Sequence, residues 1–170
     1  PVEMIASANG DSTPLRWGNV DARLTGFDMD AGFDFDGPLR IDWVGNYVRG
    51  ERRDVDDNLY RIMPPNMTAG LTYEASNWSA TLEGRAVAKQ NDVSVTNSEE
   101  QTSGYGYISL YGDWHIKDSV RLSVGVENLF DKIYQDHLSG YNRNGDGDVS
   151  VGERVPGAGR GAFVRLSFVK

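Results

Sequence analysis

The feature that most constrains this chain is a period-two alternation of apolar and polar residues, renewed segment after segment along nearly its whole length. In "VRLSVGVEN", Val120, Leu122, Val124 and Val126 point one way while Arg121, Ser123, Gly125 and Glu127 point the other. In "GAFVRLSFV", Ala162, Val164, Leu166 and Phe168 share a face opposite Phe163, Arg165 and Ser167. "PLRIDWVGNYV", "NMTAGLTYEA", "NWSATLEGRAVAK" and "GYISLYGDWHI" repeat the pattern. Side chains alternate across a strand, so each segment reads as a strand with two chemically distinct faces. Between Trp17 and Asp36 the phase changes: Val20, Ala22 and Leu24 are apolar at even positions, but Phe27, Met29, Ala31, Phe33 and Phe35 at odd ones. One extra residue near Gly26 restores the register, which predicts a β-bulge there. With "VEMIA" at the start, the expectation is about eight strands, almost no helix, and one turn around "LFDKIY".

The connections alternate in length. Short turns are expected at Asp36-Gly37-Pro38, Ser76-Asn77 and Lys117-Asp118, and longer polar ones through residues 7–15, 50–65, 91–103 and 129–160. A soluble sandwich has no reason to gather its long loops at one end, whereas a bacterial outer-membrane barrel has tight periplasmic turns and long extracellular loops. Most of the segments reach the roughly 9–11 residues that cross a bilayer at a tilt. Trp17, Trp43, Trp78, Trp114, Tyr47, Tyr105 and Tyr107 fall near strand ends, as interfacial girdles do. The fold class predicted is all-β, an antiparallel transmembrane barrel segment. A soluble β-sandwich with one wet face is the competing reading.

Composition removes other classes. The 17 Lys+Arg against 25 Asp+Glu give a net charge of −8, without any basic block, which argues against nucleic acid as a partner. The absence of cysteine excludes disulfides, thiolate metal sites and a Cys nucleophile. No run of apolar residues is long enough for a transmembrane helix, and the opening "PVEMIASANG" has no charged leader. His115 and His137 are the two histidines, and neither belongs to a nucleophile motif, so an enzyme is not expected. His115 falls near a short turn and reads as solvated. His137, beside Asp136 in a long loop, reads as solvated or as a metal contact. Met63 and Met67 would suit a soft metal, but Met67 falls on the apolar face by parity and Met63 has no Cys or His near it.

"GYNRNGDGDVSVGER" places Asn142, Asn144, Asp146, Gly147, Asp148, Ser150 and Glu153 at positions 1, 3, 5, 6, 7, 9 and 12 of the helix-loop-helix calcium pattern. Its flanks, "LFDKIYQDHLS" and "VPGAGRG", are not helices, so an EF-hand is excluded. Calcium in the 142–153 loop, held by Asn142, Asn144, Asp146, Asp148 and Glu153, stays open as a means of stiffening it. Against it, Asn142 replaces the usual first Asp, and such loops turn well without an ion.

The last third, "RLSVGVENLFDKIYQDHLSGYNR" followed by "GERVPGAGRGAFVRLSF", resembles the C-terminal end of a TonB-dependent outer-membrane receptor. The residues that carry the likeness are Glu127, Asn128, Leu129, Phe130, Asp131, Lys132 and Tyr134, then Gly159, Arg160 and the closing strand to Phe168. "NVDARLTGFDMDAGF" upstream is similar to a segment recurring in these barrels, and "DHLSGYNR" with "GERVPGAGR" looks closest to the copper-receptor branch. Such chains usually end on an aromatic residue, whereas this one runs on to Lys170. Asn128 is expected to end its strand by bonding backbone groups, Leu129 and Phe130 to pack over the sheet end, and Tyr134 to anchor the loop base.

The resemblance implies an outer-membrane receptor of a Gram-negative bacterium, a barrel of about 22 strands closed by an N-terminal plug. It takes up a metal chelate or metal ion, siderophore-iron or copper, driven through TonB, and requires no cofactor. No plug or TonB-contacting segment is recognisable here, so the chain reads as the C-terminal barrel portion, residues 1–170, of a longer protein. Asp28, Asp34, Arg40, Asp42, Glu83, Arg85, Arg121, Glu127 and Arg165 would line the lumen. The alternatives are a self-contained eight-stranded barrel and a soluble calcium-binding β-domain.

Overall fold

A computed structural model of the chain describes residues 2–5 and 16–168. It contains β1 (Val2–Ile5) and β2 (Arg16–Asn19), then β3 (Ala22–Asp34), β4 (Leu39–Arg52), β5 (Asn66–Glu74), β6 (Trp78–Val87), β7 (Tyr105–Lys117), β8 (Val120–Glu127) and β9 (Gly161–Phe168). β3 to β9 form one antiparallel sheet in strict sequence order, while β1 and β2 pair with each other in a separate two-stranded sheet. Each strand of the large sheet thus bonds to its chain neighbours, as short antiparallel connections permit. No helix long and apolar enough to cross a membrane occurs among the described residues.

The register assigns every side chain to a face. On one, Trp43 pairs with Ala69, Leu71 with Leu82, Leu82 with Leu110, Leu110 with Val126, and Val124 with Val164. These rows stay open to the surroundings: Leu71 is 43% exposed, Leu82 48% and Val164 75%. The other face is polar, and its cross-strand partners bond to one another: Arg40 to Asp34 at 3.0 Å, Asn66 to Asn46 at 3.0 Å, Thr72 to Thr81 at 2.8 Å, Arg121 to His115 at 2.8 Å. Asp28, Asp42, Glu83, Arg85, Glu127 and Arg165 share this face by register. Direct cross-strand pairs are the closest side-chain neighbours in a sheet, which is why these four pairs can bond to one another.

Two expectations are corrected. There are nine strands among the described residues rather than eight, because the stretch from Trp17 to Asp36 is two strands. No bulge lies at Gly26, since β3 pairs with β4 unbroken from Ala22↔Arg52 to Asp34↔Arg40. The sheet's irregularity falls between His115 and Lys117 instead. The phase change has another cause. Leu24 stands on the polar face opposite Gly50, where Leu59 and Ile62 of the next loop come within 2.9 Å of the place a Gly50 Cβ would occupy. Leu24 itself stays 58% exposed, so an apolar side chain stands on the polar face there without any slip of the strand.

The short turns 35–38, 75–77 and 118–119 lie at one end of the sheet, and the connections 53–65, 88–104 and 128–160 at the other. The expected loop 7–15 falls within residues outside the described part.

Candidate functional site

The three long connections are knitted into one body. Asp57 in the 53–65 loop accepts from the backbone N–H groups of Asn58 at 2.9 Å, Val95 at 2.8 Å and Thr96 at 2.9 Å, and from the Ser94 hydroxyl at 3.1 Å. Burial alone would push its carboxyl up, but the donors from Thr96, Val95 and Asn58 outweigh burial and hold it down at about 2. In the 88–104 loop, Glu99 accepts from the N–H groups of Ser94 and Arg61, each at 2.8 Å. Arg61 and Ser98 have φ of 60° and 50°, a left-handed backbone stabilised by the bonds around it.

His137 closes the assembly from the last loop. Its Nε2 lies 3.1 Å from Glu99 Oε1 and its Nδ1 3.0 Å from the Thr102 hydroxyl, with the residue 2% exposed. It is therefore not solvated: its ring nitrogens face Glu99 and Thr102 inside the packed loops. The sequence carried no sign of this, because Glu99 and Thr102 meet His137 only once the 88–104 and 128–160 connections converge. Burial would raise Glu99, but the bonds from His137, Ser94 and Arg61 overcome it and hold the carboxyl below its usual value. The buried Arg154 guanidinium reaches the carbonyls of His137 and Ser139, donates to the Tyr141 hydroxyl at 2.8 Å, and lies 4.7 Å from that ring.

The Asn128 group makes the junction between sheet and last loop. Asn128 has φ 48° and is 2% exposed. Its side chain accepts from Lys132 N–H at 2.8 Å and donates to the carbonyls of Lys132 at 2.9 Å and Ala158 at 3.3 Å. Asp131, φ 54°, accepts from Arg160 N–H at 2.8 Å, and Gly159 passes so close that a Cβ there would lie 2.9 Å from that carboxylate. Leu129 bonds through its N–H to the Ile108 carbonyl at 2.7 Å, within a turn rather than a helix. Tyr134 stacks on Tyr105 with centroids 4.2 Å apart, and Tyr105 donates to Asp136 at 2.8 Å. Phe130 does not pack over the sheet end as expected: it is 73% exposed. Glu127 ends β8 opposite Gly161, and Phe168 ends β9 opposite Val120 on the apolar face.

The Asn142–Glu153 loop closes on itself. Asn142 N–H donates to the Glu153 carbonyl at 2.7 Å, and Tyr141 bridges Arg154. The Asn142 side chain accepts from Asn144 N–H and donates to the carbonyls of Asn144 and Val149, while Asn144 accepts from Asp146 N–H. No cluster of three or more His, Cys, Asp or Glu side chains placed to hold a metal ion occurs among the described residues. Asp146 enters these bonds through its backbone N–H, and the Glu153 carboxylate accepts from Ser150 N–H at 3.4 Å.

A family model described as TonB dependent receptor-like, beta-barrel matches residues 4–129. Among solved structures, the copper transporter OprC matches with a TM-score of 0.88 and 32% identity, over 98% of this chain and 26% of that one. The ferric citrate transporter FecA in its unliganded form matches at 0.70 and 18% identity over 95% of this chain and 26% of its own. The FrpB iron transporter from Neisseria meningitidis matches at 0.69 and 17% identity over 99% and 27%. At those identities FecA and FrpB speak to the fold alone. The chain spans about a quarter of the length of the structures it matches. No curated protein matches.

Proposed function

The chain belongs to the TonB-dependent receptor β-barrel family, whose members are outer-membrane transporters rather than enzymes, and from that premise we propose that it forms the C-terminal portion of a receptor importing copper. The observation that carries the ligand is the likeness to a copper transporter at 32% identity over 98% of the chain. Siderophore-iron is the second ligand class, favoured only by fold-level neighbours. On this reading, residues 1–170 supply barrel strands, and the plug, the TonB-contacting segment and the remaining strands come from elsewhere in the protein.

The geometry supports that arrangement. β3 and β9 do not pair with each other, so the sheet has two open edges, which favours a larger barrel over a self-closed one. Exposed rows such as Leu71, Leu82, Leu110, Val164 and Leu166 suit hydrocarbon and would be an aggregation liability on a soluble calcium-binding domain. The polar face becomes the lumen wall against the plug, and the knitted loops become the extracellular mouth. Transport then needs no covalent chemistry from this segment. It holds the loops in a fixed shape over a hydrated wall.

Uptake by the full-length receptor tests this. Cells carrying it should accumulate copper several-fold above receptor-free cells, and the gain should vanish without TonB. A TonB-dependent gain in ferric siderophore instead of copper would overturn the ligand, and absence of any TonB dependence would overturn the receptor.

A further inference from the structure

Asparagine is followed by glycine at Asn9-Gly10, which lies outside the described residues, and at Asn144-Gly145. Such a pair has a chemistry of its own. The backbone nitrogen after an asparagine can attack the side-chain amide carbon and close a five-membered ring. The reaction needs a nitrogen not already bonded to an acceptor, and room beside it for the approach.

Other asparagines of the chain do not meet these needs. The N–H after Asn58 donates to the Gly50 carbonyl at 3.0 Å, and the one after Asn91 to Gln90 Oε1 at 3.1 Å. The N–H after Asn97 donates to the Val95 carbonyl at 3.0 Å, and the one after Asn128 to Ile108 at 2.7 Å. Asn46 and Asn66 belong to β4 and β5. Asn142 precedes Arg143, whose Cβ crowds the approach. Gly145 differs on both counts. It is exposed, its N–H donates to no group among the described residues, and a Cβ placed on it meets nothing within 4 Å.

The Asn144 amide is also held in a reactive arrangement. Asn144 N–H donates to Asn142 Oδ1 at 3.0 Å, and its carbonyl accepts from Asn142 Nδ2 at 2.8 Å. Its Oδ1 accepts from Asp146 N–H at 3.1 Å. That last bond polarises the side-chain carbonyl and stabilises the negative charge that gathers on Oδ1 during attack. Gly145 is the residue between its two ends, so the attacking nitrogen belongs to the turn that the bond closes.

We propose that Asn144 is a site of spontaneous modification, where the chain deamidates through its own backbone. The Gly145 nitrogen loses its proton and bonds to Asn144 Cγ. The Cγ–Nδ2 bond breaks, and the side-chain nitrogen takes up a proton and leaves as ammonia. Water then opens the cyclic imide. Cleavage between the Gly145 nitrogen and Cγ leaves aspartate, and cleavage between that nitrogen and the main-chain carbonyl carbon leaves isoaspartate. One water is consumed and one ammonia released, with nothing oxidised or reduced. The product adds a negative charge beside Asp146, Asp148 and Glu153. Isoaspartate also lengthens the main chain by one atom between residues whose bonds to Asn142 hold the tip. The tip of the last loop therefore loosens as the molecule ages, while the body built on His137, Glu99 and Asp57 is untouched. The reaction is the same whichever cargo the receptor carries.

Ageing the full-length receptor in warm, mildly alkaline buffer tests this, with trypsin and mass spectrometry reading the 144–154 peptide. That peptide should gain one mass unit and separate into two products, faster than the peptides carrying Asn91 and Asn128. The rate should climb with pH, because the attacking nitrogen must lose its proton. Gly145→Ala should slow the gain several-fold and leave thermal unfolding unchanged, since the added Cβ meets no neighbour. Denaturant should speed the reactions at Asn91 and Asn128, whose following N–H groups it releases, and change that at Asn144 little. A folded receptor in which Asn144 reacts no faster than Asn91 overturns the site, as does a Gly145→Ala variant that reacts like wild type. A several-fold acceleration at Asn144 on unfolding would overturn it too, since the folded loop would then protect the amide.

Discussion

His137 Nε2 lies 3.1 Å from Glu99 Oε1, with the two side chains 1% and 3% exposed, although 38 residues separate them. Removing one partner of such a contact leaves the other buried without its bond, which costs about 1–3 kcal/mol. His137→Ala should therefore free the 88–104 loop. Faster amide exchange at Ser94 and Arg61, whose N–H groups bond Glu99, reports it, while the strands keep their protection. Unchanged exchange at both amides would show that Glu99 is held without the imidazole.

Asp57 predicts a pH response of the same loops. Its carboxyl is held at about 2, below its ordinary 3.8. A depressed carboxylate contributes stability that is present above the unfolded value and lost as pH falls through the folded one. Exchange at Val95 and Thr96, corrected for its intrinsic pH dependence, should rise as the pH falls from about 4 to about 2. Asp57→Asn should raise it already at neutral pH and flatten the response.

The strands were legible because alternation is local: six residues suffice to show two faces, and the pairing register then follows from keeping those faces aligned across neighbours. Loop asymmetry was legible for the same reason. Leu24 misleads because it is an apolar side chain standing 58% exposed on the polar face opposite Gly50, and parity alone reads such a residue as a slip. His137, beside Asp136 in a long polar loop, reads as solvated or as a metal contact, whereas its burial depends on Glu99 and Thr102 arriving from another loop. Phe130 misleads in the other sense: a large apolar aromatic favours burial, yet the turn at Leu129 and Phe130 leaves it 73% exposed.

Asn128 offers a graded test of backbone against side chain. At φ 48° a Cβ is strained, and the amide also makes the bonds to Lys132 and Ala158. Asn128→Gly loses the bonds but relaxes the backbone, whereas Asn128→Ala loses both. The alanine variant of the full-length receptor should unfold more readily than the glycine variant by about 1 kcal/mol in a denaturant titration. The reverse order would mean that the left-handed turn carries no strain.

Calcium gives a direct test of the Asn142–Glu153 loop. The Asn142 amide nitrogen donates to the carbonyls of Asn144 and Val149, so an N–H group is directed into the loop from the residue that would provide the first oxygen of a cation site. The side-chain oxygens of Asn142 and Asn144 are already acceptors for backbone N–H groups. Millimolar calcium should thus leave the rate of tryptic cleavage after Arg143 unchanged. Protection by calcium would show instead that Asn142 turns over to offer its oxygen and that Asp146, Asp148 and Glu153 draw in around an ion.

Gly125 sits under two aromatic rings on the polar face. A Cβ there would collide with Phe163 Cε1 and fall 2.8 Å from Tyr111 Cδ1, and the two rings lie 6.3 Å apart by their centroids. Rings covering a strand glycine restore the packing that the missing side chain forgoes, and they bind β8 to both neighbours at once. Gly125→Val has to displace Phe163 or Tyr111, since contacts that short are not tolerated, and overpacking of this kind costs about 1–3 kcal/mol. Phe163→Ala alone should also destabilise, by uncovering the glycine. Combined, the two substitutions should cost less than the sum of the singles, because the valine then occupies the space the ring has vacated. Denaturant unfolding of the four proteins supplies the cycle, and strictly additive costs would mean that the rings do not rest on Gly125.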